Sequence, residues 1–244
     1  MKKYSFPGKR SVALLLDPDK VNEEGLKNII KIAVEGRVDY ILTGGSITFK
    51  SIDNLIEIVK DMCSIPVVLF PGNLLQLSLK ADAILLLSLI SGRNPELLIG
   101  NHVVAAPYLK GVREKLISVG YILVGSGSKS SVEYISQTDA IPADKTDVVV
   151  ATALAGEMLG LNMIYLEAGS GSLIPVPPFI IEAVRTEISL PIAVGGGIRH
   201  RQQISEAFQA GANLVILGNG CESKPRLLAE ACQVRDEISN SLFT

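Results

Sequence analysis

The chain is poor in the residues that build disulfide frameworks and closed metal sites. It has 3 cysteines and 2 histidines among 244 residues. Cys63, Cys221 and Cys232 form an odd, scattered set with no C-x-x-C pair. That excludes a disulfide-stapled scaffold and a zinc site, and it fits a reducing, cytoplasmic compartment. His102 and His200 stand alone. Neither has the acid or second histidine that a triad or a metal pair requires, so each reads as structural. Charge of one sign is also missing: the net charge is −2, which leaves no electrostatic footprint for nucleic acid and no basic cluster for anionic lipid. Long apolar runs are absent too. The greasiest, Ala83 to Ile90, is far shorter than a bilayer span. The polar, basic start from Met1 to Arg10 is followed by no apolar segment of the secretory kind.

What is present is apolar and repetitive. Hydrophobic residues make up 48% of the chain and the mean hydropathy is +0.35, predicting strands buried on both faces. Strand-like runs fall at residues 12–16, 40–42, 66–70, 83–88, 118–124, 163–166, 192–194 and 214–217. Helix-compatible stretches fall at 22–35, 51–62, 95–109, 146–159, 178–186, 201–210 and 225–238. The alternation predicts one closed α/β domain over residues 1–244, a single (β/α)8 TIM barrel, near the ~250 residues typical of that fold. The segment between Asn73 and Ala83 is too short for a full helix, so the third helix is expected to be shortened or replaced by a loop. A doubly wound sheet would place its phosphate loop after the first strand. Here the first strand ends in Asp17-Pro18-Asp19-Lys20.

Glycines close the last two strands. Pro191 to Arg199 reads PIAVGGGIR and Gly211 to Gly220 reads GANLVILGNG. Backbone N–H groups approach an anion most easily where no Cβ intervenes, and a following helix N-terminus adds partial positive charge. This is how the last two units of such a barrel make a phosphate site. In these barrels reactive groups sit at the C-terminal ends of the strands. Asp17, with Ser46 on the neighbouring strand end, offers the sparse oxygen set that suits Mg²⁺. Equally, Asp17 caps the turn that follows it and Ser46 the next helix. Lys20 pairs with a phosphate or with Asp17. In Tyr165-Leu166-Glu167-Ala168-Gly169-Ser170-Gly171 a carboxylate at a strand end runs straight into a Gly-Ser-Gly turn. Period 2 puts Tyr165 and Glu167 on one face. Glu167 then serves as general base on a ligand hydroxyl, or pairs with an interior lysine. Cys221 follows the last glycine without the sequence context of a reactive thiol. The stretch from Gly125 to Ser131 lacks the Walker spacing and reads as a mobile loop.

Read together, LLDPDK ending at Lys20, TGGS ending at Ser46, FPGN ending at Asn73, YLEAGSG from Tyr165 to Gly171, VGGGIR ending at Arg199 and LGN ending at Asn219 resemble, in order, the geranylgeranylglyceryl phosphate synthases and their heptaprenyl relatives. The resemblance implies a prenyltransferase that joins the 3-hydroxyl of sn-glycerol 1-phosphate to a long-chain prenyl diphosphate, most simply geranylgeranyl diphosphate, in ether lipid biosynthesis. It implies Mg²⁺ as cofactor at Asp17 and Ser46, and Glu167 with Tyr165 as the catalytic pair. It places glycerol phosphate among Tyr165, Leu166, Glu167, Ala168, Gly169, Ser170, Gly171, Gly196, Gly197, Gly218 and Asn219, and Lys20 is expected as a further substrate-binding residue. It also implies that the gap left by the third helix admits the prenyl chain. Leu85, Leu86, Leu87, Leu89, Leu97, Leu98 and Ile99 are candidates to line such a groove, or else ordinary barrel and helix core. The resemblance implies a homodimer or homohexamer, and the lipid substrate implies transient contact with a membrane surface. Apart from the resemblance, the residues also allow a sugar-phosphate isomerase or lyase, or a barrel that only binds phosphometabolites.

Overall fold

Alternation along each strand decides which side chains fill the barrel. In β1 (Ser11–Leu16), Val12, Leu14 and Leu16 join the layer between sheet and helices, whereas Ala13 points into the barrel. In β6 (Met163–Glu167), Met163 and Tyr165 point inward, and Ile164 and Leu166 outward. Both faces are buried, which is why the strands read as continuous apolar runs. This is a computed structural model, and it describes residues 9–125, 127, 129–218, 220, 221 and 224–240. The remaining strands are β2 (Tyr40–Thr43), β3 (Val67–Leu69), β4 (Ala83–Leu89), β5 (Leu116–Leu123), β7 (Ile192–Gly195) and β8 (Leu214–Leu217). All pair in parallel and in chain order. The barrel closes where Ser11 pairs with Leu214 and Leu14 with Leu217.

Helices follow the expected stretches with one addition. α1 (Glu23–Glu35) is capped by the Asn22 side chain, which accepts from the Gly25 N–H at 2.8 Å. Its Leu26, Ile29, Ile30 and Ala33 form the buried face. α2 (Ile52–Met62) is capped by Ser51, which accepts from the Asn54 N–H at 3.2 Å. The cap is therefore not Ser46. Between β3 and β4 stands only a 3₁₀ turn, Leu74–Gln76, capped by Asn73 Oδ1 on the Leu75 N–H at 2.9 Å. The poorly periodic stretch after β4 becomes a π-helical turn, Glu96–Gly100, running into α3 (Asn101–Leu109), which carries Pro107 inside it. The segment read as a mobile loop leads into a short helix, α4 (Ser131–Ser136); Ser126 and Ser128 lie outside the described residues. α4 opens with a capping box, in which Glu133 Oε2 accepts from Ser130 N at 2.7 Å and Ser130 Oγ accepts from Glu133 N at 3.4 Å. α5 (Thr146–Met158), α6 (Pro178–Glu187), α7 (Arg201–Gln209) and α8 (Arg226–Asn240) complete the outer ring.

A buried ion pair helps to hold the N-terminal ends of the strands. Arg235 on α8 donates from Nη1 to Asp39 Oδ2 and to the Arg37 carbonyl, each at 2.7 Å. Asp39 Oδ2 also accepts from the Val12 N–H at 2.9 Å. This face anchors the fold and leaves the opposite, C-terminal face to the site. Among the described residues, no helix is long and apolar enough to cross a membrane.

Candidate active site

Glu167 is the last residue of β6, and only 6% of it is exposed. Its Oε1 accepts from the Gly169 N–H at 2.7 Å, and the Tyr165 hydroxyl hydrogen-bonds the same carboxylate. Among the described residues these are its partners, so the alternative of an interior lysine is not what the structure holds. Burial pushes the Glu167 carboxyl above its ordinary range, and the two hydrogen bonds only partly offset this. Burial and the neighbouring carboxylate push the Tyr165 and Tyr121 hydroxyls up as well. Tyr121 and Tyr165 meet edge to face, with ring centroids 5.1 Å apart, and Phe70 packs 5.7 Å from Tyr165. These three rings wall the site from the barrel interior.

The glycines at the end of β7 have a purpose the sequence did not disclose. A Cβ on Gly195 would fall 2.2 Å from the Tyr165 hydroxyl oxygen, and one on Gly196 would fall 2.4 Å from Glu167 Oε1. Gly196 also holds φ +79, where a side chain is strained. The first role of this pair is thus to let Tyr165 and Glu167 reach the mouth of the barrel.

A cavity of about 610 Å³ opens over these groups. One side of it is polar, formed by Glu167, Ser170, Gly171, Gly196, Gly197, Gly218 and Arg199. Across the mouth stand Asp17, Lys20, Gly45, Ser46 and Asn73. An apolar arm runs past Leu74, Leu77, Leu85, Leu86, Leu87, Leu89, Leu97 and Ala105, through the gap where a third helix is missing. Leu98 and Ile99, also expected along it, are not among its lining residues. Leu166 and Ala168 turn away into the packing between sheet and helices, as alternation requires. Gly169 contributes its N–H to Glu167 rather than lining the space. Asn219 lies outside the described residues.

The two acids after β1 have different tasks. Asp19 spends both oxygens on backbone, accepting from Phe49 N and Lys50 N at 2.8 Å each, and so ties the first loop to the second. Asp17 caps its own turn through Oδ1, which accepts from Asp19 N at 3.1 Å, while Oδ2 lies 3.3 Å from Lys20 Nζ beside the cavity. The pairing of Lys20 with Asp17 is therefore present. His102 is structural, with Nε2 2.9 Å from the Leu87 carbonyl oxygen.

Three residues of the site were missed in the sequence. Arg199 lines the polar side and donates to the Ser172 carbonyl at 3.1 Å, bracing the Gly-Ser-Gly turn. Its signal was its place at the end of the VGGGIR motif. Tyr121 offered only its inward register in β5. Gln76, in the turn that replaces a helix, gave no local signal.

A family model described as the PcrB family matches residues 8–235. The chain is similar to a geranylgeranylglyceryl phosphate synthase of Spirosoma linguale, at 45% identity over 243 residues, covering 99% of this chain and 98% of that protein. It is similar to one of Korarchaeum cryptofilum, at 38% identity and 94% of each chain. Among solved structures, it is similar to (S)-3-O-geranylgeranylglyceryl phosphate synthase from Thermoplasma acidophilum in complex with sn-glycerol-1-phosphate. The TM-score is 0.87 at 30% identity, over 94% of each chain. A match that spans the barrel from before its first strand into its last helix has one reading: the chain belongs to the PcrB family.

Proposed function

We propose that the chain transfers a prenyl group from a prenyl diphosphate to the 3-hydroxyl of sn-glycerol 1-phosphate, giving an ether-linked prenylglyceryl phosphate and diphosphate. The observation that carries this is the position of Glu167. It is a buried carboxylate of raised pKa standing between a glycine-lined polar pocket and a long apolar arm. Glycerol phosphate fits the polar side, its phosphate toward Gly196, Gly197 and Gly218. The hydroxyl oxygen attacks the allylic carbon, the bond from that carbon to diphosphate breaks, and Glu167 takes the hydroxyl proton. The relatives' names and the substrate in the Thermoplasma acidophilum complex support the same reading. An isomerase or a Schiff-base lyase has no use for the apolar arm, which favours neither alternative.

Mg²⁺ is part of the proposal. Asp17 and Ser46 would hold it, since one carboxylate and one hydroxyl beside an open mouth match an ion that keeps most of its shell for water and phosphate oxygens. Gly45 supports the fit, because a Cβ there would lie 3.0 Å from Asp17 Oδ2, leaving the carboxylate no room for a bulkier neighbour. When bound, the ion supplies neutralisation of the charge that develops on diphosphate. Preference for the geranylgeranyl donor, assembly as a homodimer or homohexamer, a cytoplasmic location and transient contact with a membrane surface complete the proposal.

The test is diphosphate release by purified protein given glycerol 1-phosphate and farnesyl, geranylgeranyl or heptaprenyl diphosphate, with and without a chelator. Release with the geranylgeranyl donor that stops on chelation supports the reading. No release with any donor overturns it.

A further inference from the structure

Gln76 is 2% exposed, yet it lies in the short turn that stands in for a helix. A buried carboxamide must find partners for both its ends, and Gln76 finds them in the backbone of two strand ends. Its Nε2 donates to the Gly45 carbonyl at 2.7 Å. Its Oε1 accepts from the Gly72 N–H at 3.0 Å and the Gly45 N–H at 3.4 Å. One side chain thus pairs with both polar groups of Gly45 and staples the loop after β2 to the loop after β3.

The stapled segment is packed without slack. A Cβ on Gly72 would lie 2.2 Å from the Gly45 carbonyl oxygen and 3.1 Å from that of Ser46. On its other side a Cβ on Gly45 would lie 3.0 Å from Asp17 Oδ2, so only a glycine leaves that carboxylate its place. The backbone of Gly45 is thus held by Gln76 beside Asp17, with Ser46 next in the chain. The acceptor side of the cavity, at the ends of β6 and β7, shares none of these bonds.

The geometry points to Gln76 as a positioning residue for the Asp17–Ser46 end of the site: it fixes the two oxygen donors for the metal and diphosphate, and leaves the glycerol phosphate end alone. This rests on the reading of Asp17 and Ser46 given above. Gln76 touches neither ion nor substrate in this role, because its bonds go to backbone.

The experiment measures two affinities by calorimetry, without turnover: inorganic diphosphate in the presence of Mg²⁺, and sn-glycerol 1-phosphate alone. The variants are Gln76→Met, a near-isostere without the amide, and Gln76→Asn, which keeps the amide on a shorter arm. Gln76→Met is expected to weaken Mg²⁺–diphosphate binding roughly tenfold or more, as loss of an outer support does at metal sites. Glycerol phosphate affinity is expected to stay within about twofold, and Gln76→Asn to fall between the parent and Gln76→Met. If Gln76→Met does not fold, Gln76→Asn carries the comparison. Unchanged Mg²⁺–diphosphate affinity, or an equal loss for both ligands, overturns the assignment. Absence of Mg²⁺–diphosphate binding in the parent protein overturns the metal reading itself, and the assignment with it.

Discussion

Gly196 lies under Glu167 so closely that a Cβ would come within 2.4 Å of the carboxylate oxygen Oε1. The carboxylate reaches the cavity only because this position has no side chain. Gly196→Ala is therefore expected to displace Glu167 and to cost roughly 10²-fold in kcat, the scale on which a small misplacement of a reacting group is felt. Steady-state kinetics check this, with a thermal melt to separate displacement from unfolding.

Glu167→Gln removes the base and keeps the volume. Prenyl transfer is expected to fall by about 10²–10⁴-fold, with glycerol phosphate binding retained in a calorimetric titration. Loss of binding together with turnover would instead make Glu167 a substrate ligand rather than a base.

The raised pKa of Glu167 has consequences for pH. As a base Glu167 must be ionised, so kcat/KM is expected to fall on acidification at a pH above the ordinary carboxyl value of 4.5. The effect on stability has a definite sign. Between 4.5 and the higher folded value, the folded state binds more protons than the unfolded state, so stability falls as pH rises through that window. Glu167→Gln is thus expected to melt higher than the parent at neutral pH, with the difference closing in acid. Melting curves across pH decide it, and equal differences at every pH would contradict the assignment.

Arg235 anchors the opposite face through Asp39. Arg235→Ala leaves a carboxylate that is only 14% exposed with the more distant, exposed Lys9 at 3.8 Å as its cation, and the expected loss is about 3 kcal/mol, the lower end for breaking a buried pair. Denaturant unfolding measures it. Well below the melting temperature kcat is expected to be unchanged, because the pair lies at the N-terminal strand ends.

Ala105 borders the apolar arm from α3. Ala105→Phe is expected to fill part of that arm, lowering geranylgeranyl transfer while sparing farnesyl transfer, at a packing cost of about 1–3 kcal/mol. A mixed-donor competition reads the ratio directly, and an unchanged ratio would remove Ala105 from the donor path.

Much of this architecture was legible before any coordinates. The strand at 214–217 matches Leu214–Leu217, and the gap between Asn73 and Ala83 holds no α-helix, because local apolar runs and turn residues act through neighbours in the chain. α4 was missed although Ser130 and Glu133 carry the capping-box spacing, since a single helical turn has little periodicity to show. The sequence singled out Asp17 but gave no task to Asp19, because that task is made by the Phe49 and Lys50 N–H groups on another loop.

The sequence by itself determined the barrel, the order of its strands and most of the polar residues brought to its C-terminal mouth, since period and turn chemistry are local. Only the tertiary structure decided that Glu167 pairs with Tyr165 and Gly169 and not with a lysine, that Gly195 and Gly196 are bare to make room for them, and that Gln76 joins Gly45 to Gly72. Each of these depends on atoms from different strand ends meeting within a few ångströms. Closure of the barrel sets that distance, and no spacing along the chain records it.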